Sequence, residues 1–149
     1  MIRAVIFDWG RTLWDKENAQ LFSETKEMLV YLKEKGYRLG VLTVNDNTNE
    51  KEKIQIMKEV GIYEFFDKVV GTKRKDKKTI EEVASTWDFP YEEIMIIGDR
   101  VHSDVRAANE AGAHSIWIRR GKFANELPNT ETGEPCHTIS TLQEIKDIL

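Results

Sequence analysis

The sequence predicts an α/β fold, a three-layer sandwich in which helices cover both faces of a five-stranded parallel sheet. Two observations predict it. Five short apolar segments alternate with five segments of helical character along the 149 residues, which is typical of a parallel sheet with helical crossovers. Two of the apolar segments, residues 2–7 and 94–97, are rich in branched side chains, as expected for strands that are buried on both faces.

The length and composition fit one soluble globular domain that spans residues 1–149. Apolar residues make up 40% of the chain and charged residues 32%, which are ordinary proportions for such a domain. The net charge of −4 argues against a dedicated nucleic-acid-binding protein, which would be basic overall. No apolar stretch approaches the ~20 residues of a membrane span, and no signal peptide precedes the first strand. The single cysteine, Cys136, cannot form an internal disulfide, so we expect a cytoplasmic protein.

The first half of the chain is predicted to contain three strands and two helices. Apolar residues recur at helical spacing in residues 21–35 and 49–60, and Gly36 and Gly61 are placed to end these helices. Ser23 is the candidate cap of the first helix. The three strands are residues 2–7, 37–43 and 68–70.

The second half of the chain is predicted to contain two strands and three helices. Ser103 is the candidate cap of a helix at residues 104–111, which Gly112 ends. Residues 119–135 are rich in glycine and proline and are predicted to form a long surface loop. The remaining elements are a helix at 77–87, strands at 94–97 and 114–118, and a closing helix at 141–149.

Each of the two most apolar strands is followed by an aspartate. Asp8 follows the first strand and Asp99 follows the fourth, and open α/β sheets place their chemistry at the carboxyl ends of the strands. Two carboxylates brought together without a cation would repel each other and share a proton. A hard divalent ion such as Mg²⁺ removes this conflict, because it binds oxygen ligands and keeps several waters for a phosphate to share. The pair therefore predicts a Mg²⁺ site, provided that the two strands are neighbours.

A run of cations at residues 73–78 precedes the third helix. Such a run is ordinarily a solvated surface segment, yet cations are disfavoured at a helix N-terminus by up to about 1 kcal/mol each. An anion bound nearby would remove that conflict, so we expect one lysine of the run to neutralise a phosphate. Lys75 is the preferred candidate, because Asp76 can cap the helix directly after it. Lys73 and Lys77 remain alternatives.

Four segments of the chain resemble, in the right order, the four motifs of the haloacid dehalogenase superfamily of phosphatases and phosphotransferases. They are Asp8-Trp9-Gly10-Arg11-Thr12, Val41-Leu42-Thr43, the lysines near Lys77, and residues 98–104, which read Gly-Asp-Arg-Val-His-Ser-Asp. The resemblance implies the Rossmann-like fold of that superfamily, in which the first and fourth strands are neighbours at the centre of the sheet. It also implies that Asp8 and Asp99 meet, which composition alone does not establish.

The resemblance implies roles in phosphoryl transfer for several matching residues. Asp8 is the nucleophile, which attacks a phosphoryl group and becomes an aspartyl phosphate. The Thr43 hydroxyl binds a phosphoryl oxygen together with the backbone N–H groups of Val44 and Asn45, at a helix entrance that favours anions. A lysine of the basic run, for which Lys75 is preferred over Lys73 and Lys77, neutralises the same phosphate and the charge of Asp8.

The resemblance also implies a set of metal ligands. Mg²⁺ is bound by Asp8, by Asp99 and by the backbone carbonyl of Gly10. Asp104 does not bind the metal directly but supports these ligands, or it acts through a metal-bound water. As a carboxylate in the first turn of a helix, Asp104 is also favourable in its own right.

One position departs from the first motif, because Gly10 stands where the phosphatases carry a second aspartate. That aspartate protonates the leaving group and then activates water, and such help is worth roughly 10²–10⁴-fold in rate. The expected function is therefore that of a Mg²⁺-dependent phosphohydrolase that is slow unless its leaving group is good, as in aryl or acyl phosphates. Asp15 is the nearest spare carboxylate in the sequence. The alternative is a catalytically impaired relative that binds phosphorylated ligands or a partner, or that holds a long-lived phosphoaspartate.

The connections after the first and third strands are short, whereas family members that act on small metabolites usually carry a cap domain at one of these places. Residues 9–19 and the basic loop at residues 73–78 therefore indicate a member with a minimal cap or none. An open site suits a large or extended phosphorylated substrate. A homo-oligomer would offer a lid from a neighbouring subunit.

Overall fold

The computed structural model describes residues 1–149 and confirms a parallel sheet with helices on both faces. Its strands are, in chain order, β1 (Ala4–Phe7), β2 (Trp14–Asp15), β3 (Gln20–Leu21), β4 (Arg38–Val44), β5 (Lys68–Thr72), β6 (Ile94–Gly98), β7 (His114–Ile118) and β8 (His137–Ile139). Six of them form one sheet in the order β5-β4-β1-β6-β7-β8, and β2 pairs with β3 in a separate antiparallel hairpin. The first strand therefore lies at the centre, between β4 and β6.

The C-terminal end of the chain differs from the expectation in two ways. The five predicted strands are present, but β8 adds a sixth at one edge through its parallel pairing with β7. This strand has three residues and only one buried side chain, that of Ile139, so no alternating pattern marks it in the sequence. The closing helix that follows is a 3₁₀ helix at Leu142–Asp147 rather than an α-helix.

Four α-helices pack on the sheet: α1 (Thr25–Glu34), α2 (Glu50–Glu59), α3 (Lys77–Ala84) and α4 (Arg106–Ala111). Capping boxes at Asn49 and Asp76 begin α2 and α3, so the predicted cap of the third helix is confirmed. The predicted caps Ser23 and Ser103 are wrong. No side chain caps α1, which starts late because β3 occupies preceding residues, and Ser103 lies within a π-helical turn (Val101–Val105) that leads into α4. Each helix falls short of the length and apolar content that a transmembrane helix requires.

Side chains of β1 alternate between the two faces of the sheet and define two cores. Val5 and Phe7 lie in a cluster of 19 buried residues, whereas Ala4 and Ile6 lie in a second cluster of 14. All four are fully buried, and burial of a side chain as large as Phe7 stabilises the fold by roughly 1.5–3 kcal/mol. The loops at the carboxyl edge of the sheet therefore start from closely packed strands.

The connection between β1 and α1 contains only the small hairpin of β2 and β3. Trp9 is buried and stacks on Trp14, with their ring centroids 5.4 Å apart. From the loop after β7, Arg120 donates to the carbonyl of Thr12 at 2.7 Å and pairs with Glu24 at 2.5 Å. Through these two contacts, Arg120 links both ends of the connection to the loop after β7.

Candidate active site

The carboxyl ends of β1, β4 and β6 meet at one edge of the sheet and line a cleft of about 290 Å³. Asp8 follows β1, Thr43 lies near the end of β4, and Asp99 follows β6. Lys75 reaches the cleft from the loop before α3, and Asp104 reaches it from the turn before α4. The structure thus places these five predicted side chains around one cleft.

Three buried carboxylates form a cluster in the cleft, in which one oxygen each from Asp8, Asp99 and Asp104 lies within 4.8 Å of the others. Lys75 Nζ donates to Asp8 Oδ1 at 2.8 Å and to Asp104 Oδ1 at 2.5 Å. Asp104 Oδ2 accepts from the backbone N–H of Arg100 at 3.2 Å. Asp99 Oδ2 is buried and has no hydrogen-bond partner. Lys75 therefore pairs with two of the three carboxylates, and the buried Oδ2 of Asp99 has no donor.

The pKa values within this cluster shift in opposite directions. Burial raises the pKa of Asp99 to about 10, and the neighbouring charge of Asp8 adds to the rise. Burial also raises the pKa of Asp104 to about 6, although Lys75 opposes the change. For Asp8, burial is outweighed by the charge of Lys75 and by hydrogen bonds, so its pKa lies below the usual value. Lys75 thus favours ionisation of Asp8, whereas burial and the charge of Asp8 favour protonation of Asp99 in the absence of a cation.

The donor set of the cluster fits a hard divalent cation. All of its side-chain donors are carboxylate oxygens, which are the ligands that Mg²⁺ prefers. The unpartnered Asp99 Oδ2 is a buried oxygen that a cation would satisfy. Gly10, whose carbonyl is the expected backbone ligand, lines the same cleft.

The structure distinguishes among the three candidate lysines of the basic run. Lys75 is 3% exposed and contacts the carboxylates, whereas Lys73 and Lys77 are exposed. The ammonium group of Lys77 instead lies over the ring of Tyr91, 5.4 Å from its centroid. Asp76 is the N-cap of α3, so Lys75 lies in the loop directly before the helix, and Lys77 belongs to its first turn.

One buried cation in the cleft, Lys53 of α2, is absent from the sequence prediction. Its side chain is 4% exposed, and Nζ donates to Thr43 Oγ1 and to the carbonyl of Val44, both at 2.8 Å. Burial lowers its pKa, and the charge of Asp46, 3.6 Å away, opposes this fall. A signal for it exists in the sequence, because Lys53 precedes Met57 by four residues and both lie on the buried face of the helix.

The backbone groups predicted to bind phosphate are only partly available. Val44 lines the cleft, but the N–H of Asn45 donates to the carbonyl of Thr72 at 2.7 Å. This bond continues the pairing of β4 with β5, which extends to Val44 rather than ending at residue 43 as predicted. The structure therefore removes the Asn45 N–H from the expected phosphate site, because the sheet already uses it.

The place of the missing aspartate is sterically open. A Cβ built on Gly10 would meet only the side chain of Lys16, at an ordinary 3.9 Å. Asp15 does not fill the place, because its oxygens accept hydrogen bonds from Asn18 within the hairpin turn. Asp46 lines the cleft instead and pairs with Lys16 at 2.9 Å. Partial burial acts to raise the pKa of Asp46, but the hydrogen bond from Lys16 helps to lower it to about 2.

The loop after β7 forms one wall of the cleft, through Lys122 and Phe123. The guanidinium of Arg100 lies over the ring of Phe123, 3.9 Å from its centroid, and pairs with Glu126 at 2.8 Å. The segment at residues 119–135, which is predicted only as a surface loop, therefore contributes to the site.

Known proteins resemble this chain in sequence. The profile of the family described as haloacid dehalogenase-like hydrolase matches residues 1–118. The protein named glyceraldehyde 3-phosphate phosphatase from Methanopyrus kandleri is 32% identical over 126 residues, which cover 81% of this chain and 53% of that protein. The chain thus spans about half the length of this curated relative.

Solved structures share the fold of this chain. A HAD phosphatase from Thermococcus onnurineus has a TM-score of 0.78 and 18% identity, and the match covers 99% of this chain and 97% of that chain. A HAD hydrolase from Bacillus subtilis, solved with magnesium bound, has a TM-score of 0.72 and 21% identity. That match covers 89% of this chain and 58% of the Bacillus chain.

Proposed function

The chain belongs to the haloacid dehalogenase-like hydrolase family, and on this premise we propose that it is a Mg²⁺-dependent phosphohydrolase that acts through an aspartyl phosphate on Asp8. One observation carries the proposal. The Asp8 carboxylate, hydrogen-bonded to the buried Lys75, lies in a cleft beside two further carboxylates whose oxygens suit a divalent cation. The similarity to a protein named as a phosphatase supports the same chemistry.

In the proposed reaction Asp8 forms a bond to phosphorus and then loses it. Its carboxylate oxygen attacks the phosphoryl group in line, the bond between phosphorus and the leaving oxygen breaks, and that oxygen departs with the bonding electrons. Water then attacks the phosphorus of the aspartyl phosphate, which releases inorganic phosphate and restores the carboxylate. Lys75 lies 2.8 Å from Asp8 and offsets the charge that gathers on the phosphoryl oxygens.

The carboxylate cluster would hold the metal ion through Asp8, Asp99 and the carbonyl of Gly10. A bound divalent ion supplies positive charge that offsets the charge of the phosphoryl group. Asp104 steadies the arrangement, because one of its oxygens accepts from Lys75 and the other accepts from the N–H of Arg100.

No carboxylic acid takes the place of the missing aspartate as proton donor to the leaving group. Gly10 has no carboxyl group, and Asp46, with a pKa of about 2, is ionised at neutral pH and cannot serve as an acid. We therefore expect aryl and acyl phosphates, whose leaving oxygens depart as stable anions, to be hydrolysed much faster than alkyl phosphates.

Residues 1–149 act in this proposal as a single hydrolase domain. The hairpin of β2 and β3 is the only structured insertion between β1 and α1, and it leaves the cleft without a cap domain. Such a cleft accepts phosphate groups carried on large or extended molecules.

Hydrolysis of p-nitrophenyl phosphate, followed with and without Mg²⁺, tests the proposal. Asp8→Asn should reduce turnover to background, because the amide cannot attack phosphorus. Asp15→Asn is the matched control, since Asp15 is engaged within the hairpin turn, and it should keep the wild-type rate. Equal rates in the wild type and Asp8→Asn, or a rate indifferent to Mg²⁺, would overturn the proposal.

One observation favours a second candidate function, that of a protein that holds a phosphoaspartate. No carboxylate at position 10 is available to activate water against the phosphorylated Asp8. Intact-mass measurement after treatment with acetyl phosphate tests this candidate. A phosphorylated species that disappears in Asp8→Asn supports it, and absence of any phosphorylated species counts against it.

A further inference from the structure

The cleft contains two buried lysines with different partners. Lys75 is paired with the carboxylates of Asp8 and Asp104, at 2.8 Å and 2.5 Å. Lys53 is equally buried, but its two close partners are neutral oxygens, a hydroxyl and a backbone carbonyl, both at 2.8 Å. A buried ammonium group is costly to desolvate, and Lys53 has one carboxylate beside it, that of Asp46 at 3.6 Å. The two shorter contacts of Lys53 are instead with oxygens at the end of β4, and the proposed reaction assigns no role to this cation.

The hydrogen bond from Lys53 restricts what the Thr43 hydroxyl can do. An ammonium group carries only donors, so the hydroxyl oxygen is the acceptor in this contact. The hydroxyl proton must therefore be donated elsewhere, and no protein group accepts it in the structure. Thr43 is 2% exposed and lines the cleft, so a group bound in the cleft can accept this proton.

We propose that Lys53 is a positioning residue of the phosphate site, which holds the Thr43 hydroxyl as a donor to a bound phosphoryl oxygen. The inference rests on the proposed function, because it takes a phosphoryl group as the occupant of the cleft. The second hydrogen bond of Lys53, to the carbonyl of Val44, fixes the ammonium group relative to β4. Asp46 forms a longer ion pair with Lys53, at 3.6 Å, so the ammonium group is held both by β4 and by this carboxylate.

A purely structural lysine would behave differently from a positioning residue. The same two hydrogen bonds join α2 to β4, so loss of Lys53 would lower stability in either case. Only a positioning role requires that the folded variant also bind phosphate more weakly. Phosphate affinity and stability must therefore be measured separately.

The first experiment is a calorimetric titration of inorganic phosphate into the protein in the presence of Mg²⁺. Lys53→Met keeps most of the side-chain volume and should weaken phosphate binding by about tenfold or more. Lys51→Met is the matched control, because Lys51 lies on the same helix and is exposed, and it should bind phosphate as the wild type does. Wild-type affinity in folded Lys53→Met, or no phosphate binding by the wild type, would overturn the inference.

A double-mutant cycle with Thr43→Val tests whether Lys53 acts through Thr43. If it does, the double variant should bind phosphate about as weakly as Thr43→Val alone, because the hydroxyl that Lys53 positions is already gone. Losses that multiply in the double variant would show that the two residues act independently and would overturn the positioning role.

Lys53→Gln keeps the inference testable if Lys53→Met does not fold. The glutamine amide lies one bond closer to the backbone than the lysine ammonium, so it cannot reach Thr43 in the same geometry. It should therefore weaken phosphate binding in the same direction, and wild-type affinity in this variant would overturn the inference.

The two proposals can fail separately. Asp8-dependent hydrolysis combined with an unchanged phosphate affinity in Lys53→Met would leave the proposed function standing and remove the role of Lys53. Absence of Asp8-dependent hydrolysis would remove the proposed function, and the phosphate titration would then support or overturn the role of Lys53 without any need for turnover.

Discussion

The loops that follow β1 and β6 face the same cleft, but they differ in how closely they are packed. At the last residue of β6, a Cβ on Gly98 would collide with the carboxylate of Asp104, and both Asp99 and Asp104 are 2% exposed. After β1, a Cβ on Gly10 would meet only a lysine methylene at 3.9 Å. The comparison teaches that packing fixes the loop that carries Asp99, whereas the loop that carries Gly10 has room for a larger side chain.

The reason for a glycine therefore differs between the two positions. Gly98 is required by the close approach of another side chain, so any substitution must displace Asp104. No comparable contact requires a glycine at position 10, and its backbone does not adopt a positive φ. The absence of an acid at that position is a chemical property of the site rather than a consequence of its packing.

The largest effect is expected from removing Lys75, the cation that pairs with the carboxylate cluster. Lys75→Met leaves buried carboxylates without a partner, which should lower the free energy of unfolding by about 3–5 kcal/mol and abolish turnover. Urea unfolding without added Mg²⁺ measures the first effect. Lys73→Met is the matched control, because Lys73 is exposed, and it should change stability by less than about 0.5 kcal/mol. Equal stabilities of the two variants would show that Lys75 does not neutralise the cluster.

The same substitution, glycine to alanine, made separately at positions 98 and 10 should give the next largest effect. Gly98→Ala should lower the free energy of unfolding by about 1–3 kcal/mol, because its methyl group overpacks the Asp104 carboxylate. Gly10→Ala should fold with wild-type stability to within about 0.5 kcal/mol, because its methyl group makes only an ordinary van der Waals contact with Lys16. Thermal unfolding of both variants in the same buffer is the measurement. If Gly10→Ala loses as much stability as Gly98→Ala, the two loops do not differ in packing as the structure indicates.

Restoring the missing carboxylate sharpens the comparison on the catalytic side. Gly10→Asp should raise kcat for an alkyl phosphate by about tenfold or more, because the new acid can protonate a poor leaving group. The rate for p-nitrophenyl phosphate should change less, since its leaving group needs no such help. Gly10→Asn is the control, because it adds similar bulk without an acid and should bring no gain. If Gly10→Asp hydrolyses the alkyl phosphate no faster than Gly10→Asn does, the missing carboxylate is not what limits the rate.

The smallest effect is expected at the pair that holds the connection after β1. Burial acts to raise the pKa of Glu24, but Arg120 lowers it below its usual value of 4.5. The stabilisation from this pair is therefore complete above pH 4.5 and disappears as the pH falls through the lower pKa of the folded state. Glu24→Gln should thus be less stable than the wild type at neutral pH, with a difference that shrinks in acid.

Urea unfolding of both proteins between neutral pH and pH ~3 measures that change. Glu64→Gln, which alters an exposed carboxylate, serves as the control and should follow the wild-type curve. A difference between Glu24→Gln and the wild type that stays constant with pH would exclude ionisation of Glu24 as its cause.

Local patterns predict those parts of the molecule that are defined by their own residues. The apolar runs before Asp8 and Asp99 predict the central strands, because such runs are buried on both faces in any parallel sheet. The match of the family profile to residues 1–118 confirms the family resemblance. The cap at Asp76 also follows from sequence, because a capping side chain acts within a few residues of its own position.

Features that depend on a distant partner are missed or misplaced. The edge strand β8 exists through its pairing with β7, and the N–H of Asn45 is used by the carbonyl of Thr72. Ser103 lies in a π-helical turn rather than at a cap, and the preceding loop packs around the Asp104 carboxylate. Lys53 is missed because a lysine near the start of a helix is ordinarily a surface residue.

By itself, the sequence determined the succession of strands and helices and the chemical types at their ends, because periodicity and capping depend on neighbouring residues. Only the tertiary structure decided that Lys75, rather than Lys73 or Lys77, meets Asp8, and that Lys53 binds Thr43. Burial and hydrogen bonding between these groups depend on strands and loops that are distant in the chain. No local pattern records those distances, so the assignment of each cation to its partner required the folded molecule.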